Sequence, residues 1–445
     1  MFEIIKLSIP VAVVYLAQMA MGFVSLIAVG RIGPTDIGAV GIGSSFFGWL
    51  MIIGIGILSG LDFFVSRAYG AGRKEEAFNW LIHAILLSLV MAVPLTIALY
   101  YVADHLNEFG INPQVVPSAA RYLEILALTL LPVYIFTAFR QYLQAHGNAR
   151  PAMYILLFAN VINAVFQYAL VLGKLGFESG GAVGSAISIL IARIWMVFAI
   201  IVYFAYWDRK HYCLLKGLNR LVIKWRSIVE MLKLGFPAAL QMMFEVGVFA
   251  FASILAGRLA AVELAAHQVV INIVSLTFMV PLGISSAIAV LVGQAIGRRN
   301  FEAIPKLGWT GMGLGVGFMA LSLVVLLISP FSVLGFYTKD AGVLEVAQTV
   351  LVIGALFQLF DGVQVVATGA LRGVGDTKTA MLANFSGHWL IGLPAGLVLC
   401  FVLDFGLPGL WIGLLVGLAV VATWLILRWN RINDHLRSLD IGLLG

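Results

Sequence analysis

The sequence predicts an all-α integral membrane protein: twelve transmembrane helices in two six-helix lobes related by a parallel internal repeat. Composition is the first observation. Of 445 residues, 62% are apolar and 11% charged, whereas roughly a quarter of a soluble domain is charged. Mean hydropathy is +1.03. The second observation is that the chain is written twice. Shifted by 227 positions without a gap, it places Lys6 on Lys233, Leu7 on Leu234, Pro10 on Pro237, Gly30 on Gly257 and Arg31 on Arg258. The same shift pairs Gly56 with Gly283, Ser59 with Ser286, Val65 with Val292, Gly70 with Gly297 and Glu75 with Glu302. Further on, LQAHGNARPAM (143–153) matches LRGVGDTKTAM (371–381) at a shift of 228. Both copies run in the same direction, an architecture used by carriers that move one half against the other.

Helix is the expected spanning element, because lipid offers no partner to open backbone groups and the apolar runs reach ~20 residues. The short alternating segments of a barrel are not visible. The first span, 7–30, follows only MFEIIK and holds Pro10, Gln18 and Ser25. It has no small-residue cleavage site and is expected to be retained. Spans at 37–61, 77–104, 119–143, 152–173 and 181–206 complete the first half. The second half repeats them at 234–257, 263–292, 304–335, 345–371, 379–404 and 407–429. Residues 1–207 are then the first lobe, 208–230 a basic linker, 231–430 the second lobe and 431–445 a tail. Loop charge sets the sidedness. Arg67, Arg73, Lys74, Arg140, Arg150, Arg298, Arg299, Lys306, Arg372 and Lys378 share one side with the linker and the tail. The opposite side has Arg31, Arg121, Lys174, Arg258 and Lys339. Both termini and the linker are thus expected in the cytoplasm. The linker, DRKHYCLLKGLNRLVIKWRS (208–227), reads either as a solvated connector or as an amphipathic segment on the membrane surface.

Several classes are excluded. The net charge of +6 lies in short loops between spans, so it does not indicate nucleic acid. Cys213 and Cys400 give neither a disulfide framework nor zinc spacing. There is no Walker A loop and no GxSxG. Glycine-rich pieces such as GIGSSFFG (41–48) sit within spans, where glycine permits close helix approach. An enzyme is not expected, and energy should come from an ion gradient.

Ionisable groups at bilayer depth are functional candidates by default. Glu245 lies about eleven residues into the seventh span, and Asp361 about ten residues before the end of the tenth. At 1.5 Å per residue their depths agree to a few ångström. Such a pair could share a proton or hold Na⁺ with carbonyl and hydroxyl oxygens. A structural role for one permanently neutral acid is the alternative. His267, near the outer end of the eighth span, could relay protons, support an acid or cap the interface. Arg193, midway along the sixth span, has Glu124 as its nearest acidic candidate, for a structural pair; contact with a drug or an anion is the other reading. Asn163 and Gln167 share a helix face at i, i+4; with Ser25 or Gln18 they could line a neutral polar pocket, or simply bond helix to helix. Asp62 is expected to be satisfied at the interface beside Arg67, and His83 and His388 to be packing or interface residues. Met242, Met243, Phe244, Phe278, Met279, Phe357 and Phe360 flank the acidic region. They suit bulky cations or plain packing equally.

The chain resembles the multidrug and toxic compound extrusion (MATE) family, NorM-like bacterial branch, over essentially its whole length. The resemblance rests on MGFVSLIAVGRIG (21–33), YGAGRKEEA (69–77), PAALQMMFEVGVFAFASILAG (237–257), LAAHQVVINIVSLTFMVPLGISSAIAVLVGQAIG (264–297) and LFQLFDGVQVVATGALRGVGDTKTAM (356–381). It implies two lobes forming a V and a secondary-active antiporter exporting amphipathic, mostly cationic drugs in exchange for Na⁺ or H⁺. No cofactor beyond that ion, no nucleic acid and a monomer in contact with lipid are expected. Glu245 and Asp361 match the family's acids of the seventh and tenth helices, assigned to cation coupling. Where such members usually have a first-helix aspartate, this chain has Ser25, and the fifth-helix asparagine pair survives as Asn163 with Gln167. The repeat says the same: Gln18 stands opposite Glu245, and Val133 opposite Asp361. The coupling site is therefore expected in the second copy alone. A lipid-linked oligosaccharide flippase of the related superfamily is the rival reading, but it would want several cavity Arg or Lys where this chain has Arg193. A major-facilitator carrier also has twelve spans, but the segments flanking GAGRKEEA do not fit it.

Overall fold

The computed structural model describes residues 1–215 and 223–443, with side-chain surroundings as far as Leu436. Part of the expected basic linker, 216–222, lies outside the described residues. Among the described residues there is no strand, and twelve helices are long and apolar enough to cross a membrane. They are α1 (Phe2–Val29), α2 (Pro34–Gly70), α3 (Lys74–Asp104), α4 (Val116–Ala145), α5 (Arg150–Val171), α6 (Gly181–His211), α7 (Trp225–Ala256), α8 (Ala261–Gly297), α9 (Ala303–Ile328), α10 (Ala341–Gly373), α11 (Thr377–Val402) and α12 (Gly406–Leu436). Each falls on a span expected from hydropathy.

Several helices overrun the apolar segment that announces them, because polar residues at the interface continue the turn. The last helix runs on to Leu443. The ninth is shorter than expected. Its regular turns stop at Ile328, and Pro330 opens a separate short helix, Pro330–Leu334, because proline lacks the N–H that would continue the ladder. Two spans are interrupted. α2 breaks at Ser59–Gly60, where the Ser59 hydroxyl donates to the Gly56 carbonyl at 2.7 Å. α4 breaks after Ala127, and the Thr129 hydroxyl donates to the Leu126 carbonyl at 2.5 Å. α5 ends in a π-turn, Gln167–Val171, and α11 carries π-segments at Phe385–Gly392 and Val398–Val402. Such wide turns recur at functional sites.

The chain divides into two compact units. One contains Val13–Tyr69 and Arg73–Ala239; the other contains Met1–Ala12, Gly70–Gly72 and the chain from Leu240 onward. The dividing points in α1 and α7, after Ala12 and after Ala239, are themselves related by the 227-residue repeat. In the first unit Gly56 of α2 approaches Ala239 of α7 so closely that an added Cβ would stand 2.3 Å from the Ala239 Cα. In the second unit the equivalent glycine, Gly283 of α8, meets Ala12 of α1, with an added Cβ 2.7 Å from the Ala12 nitrogen. Both members of the second contact are repeats of the first.

Candidate functional site

The sequence-selected acids come together in the second unit. Glu245, on α7, is half-buried, and its Oε2 accepts from Gln241 Nε2, one turn earlier, at 2.6 Å. Gln364 of α10 supplies a second side-chain hydrogen bond to Glu245. Asp361, 5% exposed, lies within electrostatic reach of Glu245. None of the ion pairs found among the described residues includes either acid. Around them α10 presents a polar stripe at helical spacing. Gln358 precedes Asp361 by three residues, and both its amide atoms are buried without a partner. Gln364 follows by three; its Nε2 donates to Asn384 Oδ1 at 3.4 Å, and its Oε1 has no partner. The Thr368 hydroxyl is likewise buried and unpartnered. Buried polar atoms of this kind mark places where water or an ion enters.

α11 fixes the acid-bearing stretch of α7. Trp389 Nε1 donates to the Phe244 carbonyl at 3.0 Å, and Phe385 stacks obliquely on Phe244 at 5.0 Å. Both come from the π-segment of α11, whose wider turn carries them to α7. Met242, Met243, Phe244, Phe278 and Met279 are half-buried and Phe360 is exposed, whereas Phe357 is core, edge-on to Phe249 and Trp411. His267 is fully buried, and its ring bonds Ser253 and Trp411, not an acid. Trp411 Nε1 can only donate, so Nδ1 of His267 accepts its hydrogen bond at 3.2 Å. Nε2 then carries the proton toward Ser253 Oγ at 2.9 Å, and Ser253 passes its own to the Phe249 carbonyl at 3.0 Å.

The first unit gathers a neutral cluster. Gln167 Nε2 lies 2.8 Å from Ser25 Oγ, 3.0 Å from Ser185 Oγ and 3.4 Å from Asn163 Oδ1. Asn163 Nδ2 reaches the Met21 carbonyl at 3.5 Å, and Asn160 bonds the Ala17 carbonyl at 3.0 Å. Gln18 stands apart, exposed on α1. Arg193 is also separate. It donates to Thr129 Oγ1 and lies over Phe47, 4.8 Å from the ring centre. The expected Arg193–Glu124 pair does not form, because Arg121, one turn before Glu124, takes it at 3.1 Å. Asp62 is buried at the start of the second segment of α2. His83 Nε2 accepts the Lys224 backbone N–H at 3.0 Å, a role beyond packing. His388 is buried with both ring nitrogens unpartnered.

Gln241, Gln358 and Gln364 escaped the sequence reading although their i±3 and i−4 spacing from the acids was available. Ser185, Ser253, Trp389 and Trp411 carry no local signal; only tertiary packing brings them in. Among the described residues no group of three or more His, Cys, Asp or Glu could hold a metal ion.

A family model described as MatE matches residues 10–169 and 237–398, once in each half. The chain is 32% identical to a probable multidrug resistance protein NorM of Xanthomonas axonopodis pv. citri, over 97% of this chain and 94% of that one. It is 33% identical to a protein of the same description from Mesorhizobium japonicum, over 96% and 93%. Its fold matches a crystal structure of a MATE protein in the bent conformation with a TM-score of 0.90, at 20% identity over 99% and 96% of the two chains. This multi-pass membrane protein belongs to the MatE family, the multidrug and toxic compound extrusion transporters.

Proposed function

We propose that the chain is a secondary-active multidrug efflux antiporter. It exports amphipathic, mostly cationic compounds in exchange for Na⁺ or H⁺, from the bacterial inner membrane with both termini cytoplasmic. The observation that carries this reading is the pair Glu245 and Asp361, two acids at bilayer depth without an ion-pair partner among the described residues. An unbalanced pair of carboxylates in a low-dielectric interior is too costly to persist. Each must take up a proton, or the pair must take up a cation. Na⁺ is a hard ion that wants several oxygens, and the unpartnered Oε1 atoms of Gln358 and Gln364 add two to those of the carboxylates. The half-buried Met and Phe side chains on α7 and α8 offer soft, polarizable surface to an organic cation. Ion binding then biases a two-state equilibrium toward drug release, and drug and ion alternate because each neutralises the same acids. The relatives' description as multidrug resistance proteins supports the substrate class.

Proteoliposomes loaded with ethidium, given a Na⁺ gradient and a pH gradient separately, test the scheme. Glu245→Gln and Asp361→Asn should each lower gradient-driven efflux on the order of 10-fold or more, for whichever ion drives the wild type. Undiminished coupled efflux in both variants would overturn it.

A further inference from the structure

Arg193 of α6 is a cation inside the first unit with no anion beside it. A guanidinium carries five N–H donors, and one of them goes to Thr129 Oγ1. Its face lies over Phe47, and the phenol oxygens of Tyr122 and Tyr134 are within electrostatic reach. All of these partners are neutral. Tyr134 commits its proton to the Leu50 carbonyl at 3.2 Å, and Thr129 commits its own to the Leu126 carbonyl. They offer lone pairs but no charge. Glu124 is held by Arg121, and no ion pair among the described residues includes Arg193. Leaving a cation unbalanced inside a membrane bundle is costly. Hydroxyl contacts and one aromatic face recover only part of that.

The unused donors are not sealed in protein. Arg193 is partly exposed, and none of its nitrogens is both buried and unpartnered. The neighbouring surface of α2 is open. Ser44, whose Oγ lies 3.0 Å from the Tyr122 hydroxyl, is exposed, and a Cβ added at Gly41 or Gly48 would meet nothing within 4 Å. An accessible, planar donor fork over an aromatic ring fits a planar oxyanion, which guanidinium binds in bidentate fashion.

We infer that Arg193, flanked by Ser44, Phe47 and Tyr122, forms an anion subsite that receives the carboxylate of zwitterionic substrates. This rests on the efflux reading above and extends it: the exported compounds then include zwitterions, whose carboxylate the first unit reads. The test uses two dyes that differ only at the carboxyl, rhodamine 110 (free acid) and rhodamine 123 (methyl ester). Their binding to purified full-length protein is followed by fluorescence anisotropy. In the wild type the acid should bind more tightly than the ester. Arg193→Gln should reduce that ratio of dissociation constants by ~10-fold or more, the usual size of a lost charged hydrogen bond. Arg193→Lys should fall between, retaining charge without the fork. Equal loss of both dyes, no preference in the wild type, or an unchanged ratio in Arg193→Gln overturns the subsite. Should Arg193→Gln fail to fold, the Lys variant and Ser44→Ala read the same ratio. Wild-type protein that binds the acid preferentially but moves neither dye in proteoliposomes sinks the efflux reading and leaves the subsite standing.

Discussion

His146 follows the last turn of α4, its ring 4.3 Å from that of Tyr142, 4.5 Å from Tyr69 and 5.2 Å from Trp207. Nδ1 donates to the Tyr142 carbonyl at 2.8 Å, while Nε2 is buried with nothing to bond. Burial, aided by the nearby positive charge of Lys74, pushes its pKa down to about 4, against the raising effect of the bond to Tyr142. The unfolded chain keeps the ordinary value near 6.5. Between these two values the unfolded state therefore binds more protons than the folded one. Stability conferred by neutral His146 is complete above pH 6.5 and declines as pH falls toward 4. The ceiling is ~3 kcal/mol, at about 1.4 kcal/mol per factor of ten in proton affinity. Thermal melts of purified protein should drop over that interval, and His146→Gln should flatten the profile; an identical slope in the variant would refute the assignment. At this scale the sequence was informative where chemistry contrasts with its surroundings. Glu245 and Asp361 are conspicuous because nothing else in the neighbouring apolar runs carries charge. Gln241 and Gln364 were not, because an amide in a membrane helix usually just bonds its neighbour. Arg193 was visible, but its partner was not: an acid on α4 was in view, and which of two arginines would claim it depended on helix register.

The element that most departs from a loose connector is the start of the linker. At the end of α6 the Asp208 carbonyl accepts from the N–H groups of Tyr212 (2.9 Å) and Cys213 (2.7 Å). Its carboxylate caps Leu214 (3.1 Å) and Leu215 (3.0 Å). Cys213 adopts a left-handed φ of 56°, a conformation that favours glycine. At the far side of the linker, His83 of α3 holds the Lys224 backbone. Entry and exit are both tied to the first unit by side chains. Asp208→Ala should cost about 1.5–3 kcal/mol, the usual range for hydrogen bonds to a charged group, and should speed tryptic cleavage after Lys210. Cys213→Gly should have the opposite sign, gaining up to ~1 kcal/mol where φ is positive. Unchanged cleavage in Asp208→Ala would show that other contacts hold the turn. The twelve spans themselves were legible because hydropathy and length suffice for a helix in lipid. The breaks at Ser59 and Thr129 and the π-turns of α5 and α11 were not. A backbone leaves regular geometry in a membrane only where some other group satisfies it, and those groups come from elsewhere in the chain.

Across the whole molecule the repeat governs packing but not charge. The compact units divide α1 after Ala12 and α7 after Ala239, and each division follows a proline by two residues, Pro10 and Pro237. Proline leaves the carbonyl four residues earlier, that of Lys6 or Lys233, without its helical partner, so both copies loosen the helix just before it changes unit. Glu245 lies beyond that point, on the stretch of α7 that belongs with α8 and α10. If the divided helices are integral to the fold, the two symmetric glycine contacts that seat their first halves should be equally indispensable. A side chain at Gly56 would meet the Ala239 backbone at 2.3 Å, and one at Gly283 would meet Ala12 at 2.7 Å. Backbone cannot step aside as a flexible side chain can. Gly56→Val and Gly283→Val should each destabilise by ~1–3 kcal/mol or more, with Gly56→Val the worse because its clash is closer. Gly317→Ala on α9, where a Cβ meets nothing within 4 Å, should be neutral or stabilising by up to ~1 kcal/mol. Thermal unfolding of the purified variants measures all three. Loss at one glycine only would mean that the duplicated contacts are duplicated in sequence but not in strength, as the ionisable residues already are.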